Sequence, residues 1–101
     1  MLIKIFVRTF PSAEDCELFE SILETRWPNL LQEAKGVRFR AMKNPQTPNV
    51  SVVLWEFPDN EAMKKIEKLI EENIAKYVKT LAPKTIHFVG AVTQDFGETS
   101  F

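Results

Sequence analysis

The feature that most constrains this chain is the order in which strand-like and helix-like apolar patterns follow each other. Segments rich in Ile, Val and Phe, with the alternation typical of strands, cover residues 2–10, 37–43, 50–57 and 85–93. A helical spacing of apolar residues separates the first two segments and also the last two. The sequence therefore predicts two strand–helix–strand halves joined by a hairpin, whose loop contains Pro45 and Pro48.

Start and stop signals place the two helices. Ser12 precedes the first helix as a good N-cap, and Gly36 follows it as a stop signal. Pro28 lies inside this helix and is expected to kink or restart it, because proline has no amide hydrogen. Pro58, Asp59 and Asn60 break the third strand and cap the second helix, whose apolar stripe covers residues 63–81.

This element order, β-α-β-β-α-β, leaves few topologies once the crossovers are right-handed. The predicted fold is α+β: a ferredoxin-like sandwich in which one four-stranded antiparallel sheet carries two helices on one face. Its first and third strands are expected at the centre, and its second and fourth at the edges. We expect residues 1–93 to form this domain and residues 94–101, with Phe96 and Phe101, to form a C-terminal tail.

The composition limits the partners of such a domain. The 101 residues carry a formal net charge of −1, which gives no electrostatic basis for binding nucleic acid or an anionic membrane. The single cysteine excludes a disulfide framework within the chain and an all-cysteine metal site. Between Lys4 and Arg8 the apolar run is three residues long, too short for a signal peptide or a membrane span, so we expect a cytoplasmic protein.

The predicted central strands are apolar on both faces. In the first strand Ile3, Ile5 and Val7 oppose Leu2, Phe6 and Phe10, and in the third Val52 and Leu54 oppose Val53, Trp55 and Phe57. Helices cover one face, so the other would leave more apolar surface in water than a soluble monomer usually exposes. We therefore expect a homodimer that packs sheet to sheet. The alternative is that the C-terminal tail folds over part of this face.

Two segments carry a resemblance to a known family. Residues 52–63, VVLWEFPDNEAM, combine a central strand ending in Trp-Glu-Phe, a short turn and a helix opened by Glu-Ala. Residues 36–38, GVR, follow an amphipathic helix in a similar helix-to-strand turn. Together with the element order, they make residues 1–93 resemble the dimeric α/β-barrel superfamily, which includes antibiotic biosynthesis monooxygenase-like proteins. The resemblance implies a dimer and a cofactor-independent, monooxygenase-like activity on a small organic molecule.

The sequence departs from the haem-degrading branch of that superfamily. That branch uses an asparagine on the first strand, and a tryptophan and a histidine from the region of the second helix. Here the first strand has no asparagine, and residues 59–82 contain neither tryptophan nor histidine. A lone histidine without a matching cysteine or carboxylate motif also predicts no metal site. We therefore expect no cofactor.

His87 and Trp55 are the candidate catalytic residues. His87 is the only histidine, the residue type that exchanges protons near neutral pH, and would act as a general base or bind substrate by a hydrogen bond. The alternative is a partly buried histidine on an edge strand, held by a backbone carbonyl. Trp55 would stack on a ligand or serve a cofactor-free oxygenase, or it is simply a large core or interface side chain.

The candidate substrate-binding residues are Arg8, Arg40, Phe6 and Tyr77. Alternation predicts that Arg8 and Arg40 share one face of the sheet with Lys4 and Arg38, where they would bind an anionic or aromatic ligand. The alternative is a rim of charges around the dimer interface, paired with carboxylates such as Glu56. Tyr77 fits the apolar stripe of the second helix, with its hydroxyl near the surface or at a cavity mouth.

Two kinds of function are open at this point. The first is a small dimeric enzyme that acts on an aromatic or anionic small molecule. The second is a non-catalytic module for small-ligand binding or dimerisation. An RNA-binding domain of the same element order is disfavoured, because residues 50–57 lack the glycine of the RNA-binding strand motif. The expected partners are thus a second copy of the chain and a small-molecule ligand.

Overall fold

One antiparallel sheet organises the computed structural model, in which residues 1–98 are described. Its strands are β1 (Leu2–Thr9), β2 (Arg38–Met42), β3 (Val50–Phe57) and β4 (Lys84–Ala91). They lie in the order β2-β3-β1-β4, and each neighbouring pair is antiparallel. The predicted ferredoxin-like α+β fold is confirmed, with β1 and β3 at the centre of the sheet and β2 and β4 at its edges.

The helices begin at the predicted caps. They are α1 (Ala13–Leu30), α2 (Asn60–Asn73) and α3 (Ala75–Leu81), and a 3-10 turn (Leu31–Glu33) follows α1. Ser12 Oγ accepts a hydrogen bond from the Asp15 amide at 3.1 Å, and Asp59 Oδ1 accepts one from the Ala62 amide at 2.8 Å. Each cap satisfies an amide that no helical carbonyl can reach. No helix within residues 1–98 is long and apolar enough to cross a membrane.

The first predicted helix ends earlier than expected, and the second is interrupted before it reaches its expected end at Leu81. α1 passes through Pro28 without a restart and ends shortly after it, well before Gly36. Gly36, with φ of +77°, makes the turn into β2 instead. The second predicted helix is divided at Ile74, where φ is −116°. Asn73 Nδ2 donates a hydrogen bond to the Leu69 carbonyl at 3.0 Å, a local bond that competes with the helical ladder at this point.

The strand register divides the side chains of the sheet between two faces. Arg8 lies opposite Ser51, and Ile5 lies opposite Leu54, so the members of each pair share a face. The face that packs against the helices, here called the helix-facing side, carries Leu2, Lys4, Phe6 and Arg8 of β1 and Ser51, Val53, Trp55 and Phe57 of β3. The other, the open face, carries Ile3, Ile5 and Val7 of β1, Val52 and Leu54 of β3, and Ile86 and Phe88 of β4.

The core is an aromatic layer between the helix-facing side and α1. Trp55 is 1% exposed, and its ring centroid lies 4.6 Å from that of Trp27 in an edge-on contact. Phe39 of β2 lies 4.9 Å from Trp55, and Phe57 stacks on the same ring at 5.9 Å. Such aromatic pairs contribute about 0.5–1.5 kcal/mol each beyond their buried area. They fix β2, β3 and α1 relative to one another at this end of the sheet.

Candidate functional site

Arg8 is the charged side chain that lies deepest in this core. The residue is 5% exposed, and no carboxylate within residues 1–98 forms an ion pair with it. Its guanidinium carbon instead lies 4.3 Å from the ring centroid of Phe6 and 5.0 Å from that of Phe19. Aromatic faces attract a cation without neutralising it. Arg8 Nε also has no hydrogen-bond partner among the described residues.

The charge of Arg8 is retained despite its burial. An apolar environment disfavours the charged form and lowers the pKa of Arg8 from its ordinary value to about 10. At neutral pH the guanidinium therefore still carries its proton. A buried cation without a counter-ion stabilises negative charge that enters the space beside it. Arg8 thus marks a position where an anionic group is favoured.

Ser51 faces Arg8 from the neighbouring strand. The residue is fully buried, and its Oγ has no hydrogen-bond partner among residues 1–98. Ser51 and Arg8 are directly opposite in the register of β1 and β3. Buried polar groups in folded proteins are nearly always hydrogen-bonded, so each of these two groups needs a partner beyond the described residues, such as an ordered water or a bound molecule. Sequence reasoning missed Ser51, although it is the one hydroxyl residue among Val53, Trp55 and Phe57 on the buried side of β3.

Two spaces lie near this part of the core; Arg8 lines the smaller one, and Ser51 lines neither. A small internal cavity of about 10 Å³ is lined by Arg8, Leu23, Trp27, Phe39, Val53, Trp55, Ile70 and Ile74. A larger cleft of about 370 Å³ is lined by Glu20, Leu23, Glu24, Trp27, Pro28, Leu31, Phe39 and Ala41 of α1, the 3-10 turn and β2. Leu23, Trp27 and Phe39 line both spaces and form the wall between them. Arg8, Ser51 and the internal cavity are together called the Arg8 site below.

Lys4 offers a contrast on the same strand. It is also buried on the helix-facing side, and its Nζ lies 4.9 Å from the Phe6 ring centroid. Unlike Arg8, it has a carboxylate partner, because Glu67 of α2 places Oε2 at 2.8 Å from Lys4 Nζ. Because Lys4 is paired with Glu67, Arg8 is the cation of β1 whose charge is available to a ligand.

Of two other predicted substrate-binding residues, Phe6 lies at the Arg8 site and Tyr77 lies away from it. Phe6 lies beneath the Arg8 guanidinium, as a binding role beside Arg8 requires. Tyr77 is on α3, where its hydroxyl accepts a hydrogen bond from Arg26 Nη2 of α1 at 2.6 Å. The Arg26 side chain also borders a separate cleft of about 320 Å³ that is lined by Thr25, Asn29, Leu30 and Asn73. Tyr77 therefore belongs to the contact between α1 and α3.

The expectation that Arg8 and Arg40 share one face of the sheet is wrong. Arg40 pairs with Leu54 in the register of β2 and β3, whereas Arg8 pairs with Ser51. Leu54 and Ser51 point to opposite faces, so Arg40 lies on the open face. Arg40 Nη2 is 3.1 Å from Glu56 Oε1, and Arg38 Nε is 3.9 Å from Glu56 Oε2. Pairing with Glu56, the alternative interpretation of these arginines, is the arrangement observed.

His87 and Trp55 share the helix-facing side but are not brought together. His87 of β4 is exposed, with its ring centroid 6.2 Å from that of Phe6. The expectation of a partly buried histidine is wrong for the chain alone, because the helices pack over the central strands and leave β4 open. Trp55 is enclosed by other rings and has the environment of a core side chain. Residues 1–98 contain no group of three or more His, Cys, Asp and Glu placed to hold a metal ion.

Comparisons with known proteins agree on the fold. The sequence matches no family model and no curated protein. Among solved structures, a dimeric ferredoxin-like protein from an uncultured marine organism is 23% identical, with a TM-score of 0.74 over 96% of this chain and 98% of that chain. SnoaB, a cofactor-independent oxygenase from Streptomyces nogalater, is 16% identical, with a TM-score of 0.68 over 96% of this chain and 97% of that chain.

A third similar structure is a provisionally assigned antibiotic biosynthesis monooxygenase from Deinococcus radiodurans. It is 12% identical, with a TM-score of 0.80 over 99% of this chain and all of that chain. The three matches span nearly the full length of both partners. At these identities they show that the chain has the fold of dimeric ferredoxin-like and antibiotic biosynthesis monooxygenase-like proteins. The resemblance inferred from residues 1–93 is confirmed at the level of fold.

Proposed function

We propose that the chain is a small homodimeric enzyme of the cofactor-independent oxygenase type, which binds an aromatic compound at the Arg8 site. The observation that carries the proposal is Arg8, a buried guanidinium without a carboxylate partner among residues 1–98. The aromatic wall of Trp27 and Phe39 beside it supplies the apolar surface that an aromatic ring prefers. The fold shared with SnoaB supports the reaction type by analogy.

The chemistry follows from the charge of Arg8. When no cofactor takes part, the substrate itself must supply the electrons that reduce O₂. An aromatic hydroxyl compound gives up electrons more readily after it loses a proton, so an enzyme can promote the reaction by stabilising the anion. A fixed cation in a water-poor site does this more effectively than one in water. Arg8 is the residue to which we assign this role.

A proton acceptor is the second requirement. We assign it to His87, the only histidine of the chain, whose ring centroid lies 6.2 Å from that of Phe6, the ring that Arg8 covers. His87 is exposed and can pass the proton on to solvent. Trp55 serves as part of the apolar wall and makes no contact with the reacting groups in this proposal.

The homodimer is proposed to form through the open face. Ile86 and Phe88 of β4 are 72% and 67% exposed, and their cross-strand partners Val7 and Ile5 extend the same apolar surface. Gly90 lies beside Phe88, whose Cε1 comes within 2.9 Å of the position that a Cβ at Gly90 would take. A second copy is the simplest cover for such a surface. The dimeric protein of the same fold supports this assignment.

The tail does not replace the second copy as a cover. Phe96 is 86% exposed, so the alternative in which it folds over the open face is wrong for the described part of the tail. Phe101, the other aromatic residue of the tail, lies outside the described residues.

Oxygen uptake tests the proposed reaction. Purified protein is mixed with a panel of hydroxylated aromatic compounds and aromatic acids, and O₂ consumption is followed together with the product mass. We expect uptake with at least one compound, loss of uptake in Arg8→Met and a strong reduction in His87→Ala. Lys68→Met, on the exposed face of α2, is the control for removal of a surface cation. Compounds that bind without any O₂ uptake would leave a non-catalytic binding module as the function.

A further inference from the structure

We propose that the cleft of about 370 Å³ between α1 and β2 binds an aromatic primary amine, with the ring against its apolar walls and the ammonium group at Glu24. The cleft is separated from the internal cavity of the Arg8 site by Leu23, Trp27 and Phe39. The inference does not rest on the proposed function, because it uses neither the charge of Arg8 nor a reaction with oxygen.

The size and the walls of the cleft suit one small aromatic ring system. Ligand pockets in proteins usually have volumes of about 300–1,000 Å³ and are lined mainly by apolar side chains. The cleft lies in this range, and its apolar lining residues are Leu23, Trp27, Pro28, Leu31, Phe39 and Ala41. Trp27 and Phe39 supply aromatic surface, with ring centroids 6.1 Å apart. The apolar body of a ligand would remove this surface from water.

The two remaining lining residues are glutamates, which make the cleft negative. Glu20 already holds an ammonium group, because Lys43 Nζ lies 2.9 Å from Glu20 Oε1. Glu24 follows one helical turn later, is exposed, and has no ion-pair partner among residues 1–98. The cleft thus carries one uncompensated negative charge, which favours a cationic ligand over an anionic one.

Pro28 adds a backbone acceptor at the same place. α1 continues through Pro28, and in a helix the amide of residue 28 would bond to the carbonyl of residue 24. Proline has no amide hydrogen, so the Glu24 carbonyl lacks that donor. Both residues line the cleft, and the carbonyl points along the helix from Glu24 towards Pro28. An ammonium group has three N–H donors and can bond to the carboxylate and the carbonyl of Glu24 together.

The competing interpretation is a cleft that binds any small aromatic compound through its walls alone. The two interpretations differ when the ring of the ligand is kept constant and its charge is varied. Tryptamine, tryptophol and indole-3-acetate share an indole ring and carry an ammonium, a hydroxyl and a carboxylate group. We expect affinity to fall in that order, with tryptamine bound about fivefold more tightly than tryptophol, the size of effect that one exposed ion pair produces.

Nuclear magnetic resonance of the ¹⁵N-labelled protein measures the three affinities and locates the ligand. Loss of one indole signal in Trp27→Phe distinguishes Trp27 from Trp55, the other tryptophan of the chain. We expect saturable shifts centred on the residues of α1, the 3-10 turn and β2 that line the cleft. Ala41→Phe, which fills the cleft from β2, should abolish them. Shifts centred elsewhere, or undiminished tryptamine binding in a folded Ala41→Phe protein, would overturn the site.

Charge reversal at Glu24 is the second test and does not depend on Ala41→Phe. Glu24→Lys is expected to weaken tryptamine binding about tenfold and to make indole-3-acetate the tightest of the three probes. The exposed position of Glu24 should leave the fold intact. Glu17→Lys makes the same change of net charge at an exposed position of α1 that does not line the cleft, and should keep the wild-type order. Equal affinities in the wild type, an unchanged order in Glu24→Lys, or an equal effect of Glu17→Lys would each overturn the amine site.

Discussion

The two faces of the sheet reverse the usual distribution of charge and apolar surface. On the helix-facing side, Lys4 and Arg8 are buried among aromatic rings. On the open face, Ile86 and Phe88 are largely exposed. Burying a cation and exposing a large apolar side chain both cost free energy in an isolated chain. We interpret the buried charge as half of a ligand contact, and the exposed apolar surface as half of a protein contact.

Placing a charge on the open face should have the largest effect, which we expect on the stability of the dimer. Phe88→Glu would bury a carboxylate in the proposed apolar interface, and we expect dimer dissociation to become at least about 100-fold easier, roughly 2.7 kcal/mol. Analytical ultracentrifugation over a concentration series measures the dissociation constant. Val89→Glu is the matched control, because Val89 follows Phe88 in β4 but points to the helix-facing side.

The control also shows how this prediction could be contradicted. A Phe88→Glu protein with wild-type mass at every concentration would exclude the open face as the interface. Equal weakening in Val89→Glu would assign the interface to the whole edge strand rather than to one face of it.

Removing the buried cation should have the next largest effect. Arg8→Met keeps much of the side-chain volume without the charge, and we expect the free energy of unfolding to rise by about 1 kcal/mol. Chemical denaturation of the ligand-free protein measures this change. A loss of more than about 1 kcal/mol would mean that Phe6 and Phe19 stabilise the cation better than its burial destabilises it.

The same variant gives a pH dependence of known sign. The pKa of Arg8 is about 10 in the folded chain and higher in an unperturbed arginine, so the unfolded chain holds more protons between the two values. Below pH 10 the buried charge of Arg8 therefore lowers the free energy of unfolding by a constant amount. This destabilisation decreases as the pH rises above 10, because the guanidinium loses its proton in the folded chain before it does so in the unfolded chain. We expect the advantage of Arg8→Met to be constant below pH 10 and to shrink above it. An advantage that grows with alkaline pH would contradict the assignment.

Removing the partner of Lys4 should have a smaller effect of opposite sign. Glu67→Gln leaves the Lys4 ammonium buried beside a neutral amide, and we expect the free energy of unfolding to fall by about 0.7 kcal/mol, a moderate loss because the Glu67 side chain is partly exposed. Thermal or chemical unfolding measures it. Glu71→Gln, at an exposed position of the same helix, controls for the loss of a negative charge and should change little.

His87→Ala should have the smallest effect on stability. His87 is exposed in the chain, so the free energy of unfolding should stay within about 0.5 kcal/mol of the wild type. A loss of more than about 1 kcal/mol in the assembled protein would show that its ring is covered by a second copy. That result would assign His87 to the interface rather than to proton transfer.

The fold could be predicted from the sequence because its signals are local. Ser12 and Asp59 mark where the two helices begin. The alternation of residues 50–57 predicts the strand β3. Handedness and strand pairing then leave one usual topology. The interruption at Ile74 was less predictable, because the apolar stripe continues through it and the Asn73 side-chain hydrogen bond beside it leaves no mark in an apolar pattern.

The site could be predicted only in part, because it depends on strand register. The alternation within β1 and within β2 correctly divides the residues of each strand between two faces. It does not show which of the two faces packs against the helices. Placing Arg8 and Arg40 together required that relation, which is set by β3 lying between the two strands. Ser51 was missed for a related reason: a serine in a strand carries no signal until its neighbour across the sheet is known.

Gly90 has a consequence for the shape of the open face. Because it has no side chain, the ring of Phe88 can lie down along its own strand instead of standing upright. Alanine at this position would meet the ring and lift it, without disturbing the pairing of β4 with β1. The glycine thus keeps the surface level. Two flat sheet faces can pack at the usual sheet-to-sheet spacing of about 10 Å. A raised Phe88 ring would increase that spacing and leave the surrounding side chains poorly packed.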